Sequence, residues 1–232
     1  MPEASGILVR MRLFAAVRPS PAALEHLEGA LASVRGGPAA RTRAGQGGLR
    51  WTAPADRHVT LAFFGEVPDG YVDDLAAGLD AVARAAEPFE ASLAGAGLFD
   101  RRTLWIGCTG TGWPALMAAA GRVGSEVAGR PADVRNRPHL TVARARAGSG
   151  RGDGRRAAGR ERGRALGAGP VAGPVDTRAV DPAGLAHALA LYRGPAWTVG
   201  EVQLVASRLG AGPAGGPAHD VVHRSTIGPV AG

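Results

Sequence analysis

Two short stretches of the chain carry the same arrangement of reactive side chains. "RHVTLAF" holds His58 and Thr60, and "PHLTVAR" holds His139 and Thr141. Apolar residues alternate with these groups, which is the pattern of a half-buried strand. Side chains on a strand point alternately to its two faces, so His58 and Thr60 share one face and His139 and Thr141 share another. Val59, Leu61, Leu140 and Val142 then turn into a core. Along each strand the imidazole and the hydroxyl stand about 7 Å apart at the backbone. One such pair is an ordinary strand feature, but its repetition in one chain points to a shared pocket with two imidazoles and two hydroxyls.

Two imidazoles suit displacement at phosphorus. One ring takes a proton from the attacking oxygen and the other gives a proton to the departing oxygen, and histidine can do both near neutral pH. The threonine hydroxyls can donate to non-bridging oxygens as charge builds on them. This chemistry needs no metal, and the sequence has no carboxylate cluster or His/Cys spacing that would hold one. No cofactor is expected. The other histidines, His26, His187, His219 and His223, lack a matching Thr and are read as surface residues.

The elements that must position these groups alternate in type. "RLFAAV" near the start reads as a strand. A helix follows from Ser20, with Ser20 as N-cap, Pro21 at the first helical position and Leu24, Leu27, Leu31 and Val34 at helical spacing. "HVTLAFFGEV" is the second strand, and Val72, Leu75, Leu79 and Val82 mark a second helix. "FEASLAGAGLF" and "RTLWIGCTG" form a strand pair, "PALMAAAGRVGSEVAG" a third helix and "HLTVARA" a further strand. "DPAGLAHALALYRG" is a short helix, and "WTVGEVQLVASRLG" one long last strand. An α+β fold is expected: two pseudo-symmetric lobes of antiparallel strands flanked by helices, with a central cleft between the HxT strands. Residues 1–10 read as an N-terminal extension and 11–232 as a single domain.

Composition fits a globular domain of this size, with 232 residues and 45% apolar content. All 27 basic residues are arginine, and the formal net charge is +7. Eight of these arginines fall between Arg144 and Arg164 against two acids, Asp153 and Glu161. Six of them, from Arg151 to Arg164, fall in a Gly/Arg-rich insert at about 147–182, too poor in large apolar groups to fold on itself and expected to be a flexible excursion. A lone cysteine, Cys108, excludes an internal disulfide. No apolar run approaches a membrane span and no secretory leader is evident, so a cytoplasmic monomer without membrane contact is expected.

The two motifs and their surroundings resemble a known family. "HVTL" and "HLTV" are similar to the paired HxTx signatures of the 2H phosphoesterase superfamily. "MRLFAAV", "LRWTAPADRHVTLAFFGEV", "GLFDRRTLWIG", "RNRPHLTVARA" and "VGEVQLVASRL" follow the order of its RNA 2′,3′-cyclic phosphodiesterase branch, also called 2′-5′ RNA ligases. The long insert departs from that pattern, as does the absence of a tyrosine after the last strand. The resemblance implies hydrolysis of RNA or nucleoside 2′,3′-cyclic phosphate ends to 2′-phosphates, with RNA or a cyclic nucleotide as partner. It implies His58 and His139 as the acid-base pair, with His139 as base and His58 as acid, and Thr60 and Thr141 on the phosphate. Ligation of a cyclic end to a 5′-hydroxyl, and non-catalytic binding of RNA ends, are the alternatives. The family also suggests an arginine near Arg144 that helps hold phosphate, although regular alternation turns Arg144 to the face opposite His139. Phe14 is a candidate for stacking on a base, against a simpler reading as a core aromatic, and Trp105 is read as core.

Overall fold

The computed structural model describes residues 10–35, 49–131, 137–145, 182–212 and 215–229. The Gly/Arg-rich insert, but for Pro182, and residues 1–9 lie outside the described residues. Strand β1 (Arg10–Val17) opens the fold, two residues before the "RLFAAV" read from the sequence. Helix α1 (Pro21–Arg35) follows, with the Ala23 amide donating to Ser20 Oγ over 3.2 Å as a capping residue requires. Next come β2 (Leu49–Trp51), β3 (Val59–Pro68) and α2 (Val72–Ala85), whose Asp73 and Asp74 lie in the first turn where the helix dipole favours negative charge. Strands β4 (Phe89–Phe99) and β5 (Thr103–Thr109) form the expected antiparallel pair. Helix α3 (Trp113–Ala128) ends on Gly129, whose left-handed backbone lets the Arg130 amide reach back to the Gly124 carbonyl. Strand β6 (His139–Ala145), helix α4 (Pro182–Ala188) and strands β7 (Arg193–Val199), β8 (Glu201–Arg208) and β9 (Ala218–Thr226) complete the order. No helix among the described residues is long and apolar enough to cross a membrane.

All strand pairs are antiparallel, in the order β7-β4-β5-β6-β3-β1-β8-β9, with β2 added beside β6. The long last strand expected from the sequence is in fact two. Gly200 alone separates β7 from β8, yet these lie six places apart in the sheet order. A flat sheet would put them about 29 Å apart, and one residue spans at most about 3.6 Å. The sheet must therefore curl, bringing its two four-strand halves round to face each other.

The halves meet at a narrow seam. β3 and β6 share one paired position, Val59 with Leu140, the middle residues of the two motifs. Antiparallel direction then sets His58 beside Thr141 and Thr60 beside His139. The helices cover the other side of the sheet, where Leu27, Leu31, Leu75, Leu79 and Leu116 join Leu13, Ala15 and Leu61 in one core. Alternation in β1 separates the two environments: Leu13, Ala15 and Val17 enter this core, whereas Arg12 and Phe14 line the opposite, concave side.

Candidate active site

A cleft of about 400 Å³ lies on the concave face over the seam, and His58, Thr60, His139 and Thr141 all line it. The two motifs hold their rings in the same way. His58 Nδ1 is 2.8 Å from the carbonyl of Asp56, and His139 Nδ1 is 2.6 Å from the carbonyl of Arg137. A carbonyl only accepts, so Nδ1 carries the proton in both rings and Nε2 is left as the nitrogen that exchanges protons. In each case the acceptor lies two residues back, on the turn or extended segment that leads into the strand.

Aromatic rings back both histidines. Phe14 of β1 lies 4.7 Å from the His58 ring, and Phe99 at the end of β4 lies edge-on 4.8 Å from the His139 ring. Phe14 is 2% exposed and also packs against Phe63 and His219, so it offers a base almost no surface. Phe63 at 62% and Phe99 at 38% exposure are the cleft rings with open faces. Trp105, only partly buried, packs against Phe99 and stands 6.3 Å from His139, nearer the site than a core reading suggests.

Two residues stand where strict alternation and the visible strands do not put them. Arg144, a candidate that regular alternation alone would turn to the face opposite His139, lines the cleft with it. Trp105 pairs with Thr141 and Leu104 with Ala143, which leaves Val142 as an extra residue in β6. A bulge inverts the alternation beyond it, so Val142 and Ala143 are both buried and Arg144 returns to the cleft face.

His219 was expected at the surface and instead lines the cleft, its ring edge-on 5.1 Å from that of His58. It lies on β9, an element the sequence did not reveal. His219 pairs with Ser207, another cleft residue, and His223 pairs with Leu204 of the core. The bulge at Val222 sends these two histidines, four residues apart, to opposite faces. His223 accordingly meets Asp80 of α2 at 2.8 Å. His26 contacts the Tyr192 hydroxyl at 3.1 Å.

The cleft is built to receive an anion. Arg12, Arg50 and Arg144 line it with the three histidines, and among the described residues Asp56 is the one carboxylate that lines it. Burial pushes the His58 pKa down to about 4, and neighbouring His219, His139 and Arg18 push it the same way, against the hydrogen bond that Nδ1 donates to the Asp56 carbonyl. His58 is therefore neutral in the resting protein at pH 7. Burial also raises the Cys108 thiol, which makes it a poor nucleophile. Among the described residues, no group of three or more His, Cys, Asp or Glu is placed to hold a metal ion.

Arg57, next to His58, points the other way. Its side chain is fully buried and pairs with Glu28 of α1, which also pairs with Arg35. Burial works against the Glu28 charge, but Arg57 and Arg35 outweigh it and hold the carboxyl below its ordinary pKa. The pair ties the turn before His58 to α1. Glu28→Ala leaves a buried guanidinium without its carboxylate and is expected to cost about 3 kcal/mol, read as a lower denaturant midpoint; an unchanged midpoint would show that Arg57 finds water or another partner.

Comparison with known proteins agrees with this architecture. A family model described as LigT-like phosphoesterase matches residues 19–105. A stretch of 53 residues is 45% identical to an RNA 2′,3′-cyclic phosphodiesterase of Geobacillus stearothermophilus, covering 23% of this chain and 17% of that protein. A Thermus thermophilus protein of known structure superposes with a TM-score of 0.62 at 25% identity, over 94% of this chain and 99% of its own. E. coli LigT superposes with a TM-score of 0.60 at 18% identity, over 94% of this chain and 98% of its own. LigT has also been solved with phosphate and with 3′-AMP. The chain thus shares the fold of E. coli LigT and, over residues 19–105, resembles the LigT-like phosphoesterases in sequence.

Proposed function

We propose that the protein hydrolyses 2′,3′-cyclic phosphates at RNA or nucleotide ends to 2′-phosphates, with His58 and His139 as the acid-base pair. The observation that carries this reading is the seam: two histidines, each with Nδ1 committed to the carbonyl two residues back, present Nε2 to one cationic cleft. Thr60 and Thr141 stand beside the opposite motif's histidine, where a phosphoryl group lying between the rings receives their hydroxyl hydrogen bonds. Arg144 adds charge at the same face.

In this reading water gives a proton to His139 as its oxygen bonds to phosphorus. The bond from phosphorus to O3′ breaks, His58 protonates O3′, and the 2′-ester remains. His58 rests neutral, so it gains its proton with the substrate, whose negative charge offsets the cations that otherwise disfavour it. Phe14 holds the His58 ring, and an open aromatic face for the base is available at Phe63.

The test is direct. Purified protein with a nucleoside 2′,3′-cyclic phosphate should release the 2′-phosphate as sole product, at a rate that EDTA leaves unchanged. A 3′-phosphate product would reverse the bond that breaks. Activity lost to EDTA and restored by a divalent ion would end the metal-free scheme, and joining to an added 5′-hydroxyl oligonucleotide in place of hydrolysis would make the protein a ligase.

A further inference from the structure

We propose that His219, set beside the Asp56 carboxylate, is a third phosphate-binding residue of the cleft, and that its imidazolium contacts an oxygen of the phosphoryl group beside His58. This inference deepens the hydrolytic reading, since it concerns the same pocket.

Three observations carry it. His219 lines the cleft, edge-on to His58 at 5.1 Å and to Phe14 at 5.4 Å, so its ring is fixed on two sides. Its Nδ1 lies 3.4 Å from Asp56 Oδ1, which favours the protonated ring and directs Nδ1 away from a ligand, leaving Nε2 as the atom that can donate. Asp56 also supplies the carbonyl that holds His58 Nδ1, so one residue sets two rings.

The surrounding charges decide when His219 is cationic. Burial lowers its pKa, whereas the Asp56 carboxylate, and behind it Asp220 on the same strand, raise it. His58 faces it, and Arg12, Arg50 and Arg144 line the rest of the cleft. Without a bound anion, burial opposes the proton more than the two carboxylates favour it, and the pKa lies below its ordinary value. An oxyanion bound between the arginines adds negative charge beside the ring, so anion binding and protonation of His219 favour each other. The imidazolium then gives the charged hydrogen bond that a neutral ring gives less strongly.

Sulfate is the suitable probe, because it resembles a phosphoryl group but does not itself titrate near neutral pH. Wild-type affinity for sulfate should fall as pH rises from 5 to 8, because the imidazolium is lost. His219→Gln keeps a donor of similar size without the charge. It should bind sulfate about tenfold more weakly at pH 5.5, the equivalent of one charge-assisted contact, and show a flatter pH dependence. Nuclear magnetic resonance of the His58 ring should show it titrating at higher pH in His219→Gln, since a cationic neighbour is gone. Asp56→Asn, which leaves every ring in place, should weaken sulfate in the same direction. Thermal unfolding checks that both variants are folded. Equal sulfate affinity and an equal pH dependence in wild type and His219→Gln would overturn the proposal. These titrations need no turnover, so they decide the role of His219 even where cyclic phosphates prove not to be substrates.

Discussion

Replacing either cleft histidine should remove nearly all turnover, and replacing both should cost little more than replacing one. General acid or base catalysis contributes about 10²- to 10⁴-fold. His58→Ala and His139→Ala should each lose that much in kcat on a cyclic nucleotide. The rings act on one transition state, each useful only while the other serves, so the losses should not multiply. Structure makes the comparison clean. Both rings stand at the seam, each tied to the protein by one carbonyl bond and two ring contacts, and neither joins the main core. Near-native unfolding midpoints are therefore expected alongside the lost activity. A folded single variant with more than about a tenth of wild-type turnover would remove that histidine from the mechanism, and a double variant that multiplied the two losses would show independent roles.

The parts of this site that were legible in sequence are those that obey strict alternation over three residues. His58 and Thr60, and His139 and Thr141, fall on one face because nothing interrupts the strand between them. The lobed antiparallel fold was legible for the same reason, since long periodic segments mark most of its elements. What the sequence hid lies beyond a bulge. Val142 brings Arg144 back to the cleft, and Val222 parts His219 from His223. In β3 an extra residue at Leu61 lets Phe63 share a face with Thr60. Each bulge depends on the partner strand's register, which local pattern does not contain. β9 was missed for a different reason: "AHDVVHRST" is mostly polar, because much of it is exposed at the edge of the sheet. The division of the last strand at Gly200 reflects the curl of the sheet, a property of the closed fold and not of the residues on either side.

The direction of proton transfer is open to a sharper experiment, because acid and base respond differently to the leaving group. The 3′-oxygen of a ribose is a poor leaving group and needs a proton as its bond to phosphorus breaks. A nitrophenolate leaves without one. With His58 as acid, His58→Ala should lose about 10²- to 10⁴-fold on a cyclic nucleotide but stay within about tenfold of wild type on a nucleoside 2′-(4-nitrophenyl phosphate), where the acid has nothing to do. His139→Ala, lacking the base that activates water, should lose heavily on both substrates. The resting state of His58 makes this outcome informative. Its pKa of about 4 leaves the ring neutral at pH 7, which is the form a base needs. For His58 to serve as acid beside a neutral His139, the bound phosphodiester has to restore its proton by outweighing burial and the field of His219 and Arg18. The opposite pattern, with His139→Ala rescued by the nitrophenyl ester and His58→Ala inactive on both, would show that the buried neutral ring takes the proton from water and that the two motifs have exchanged roles.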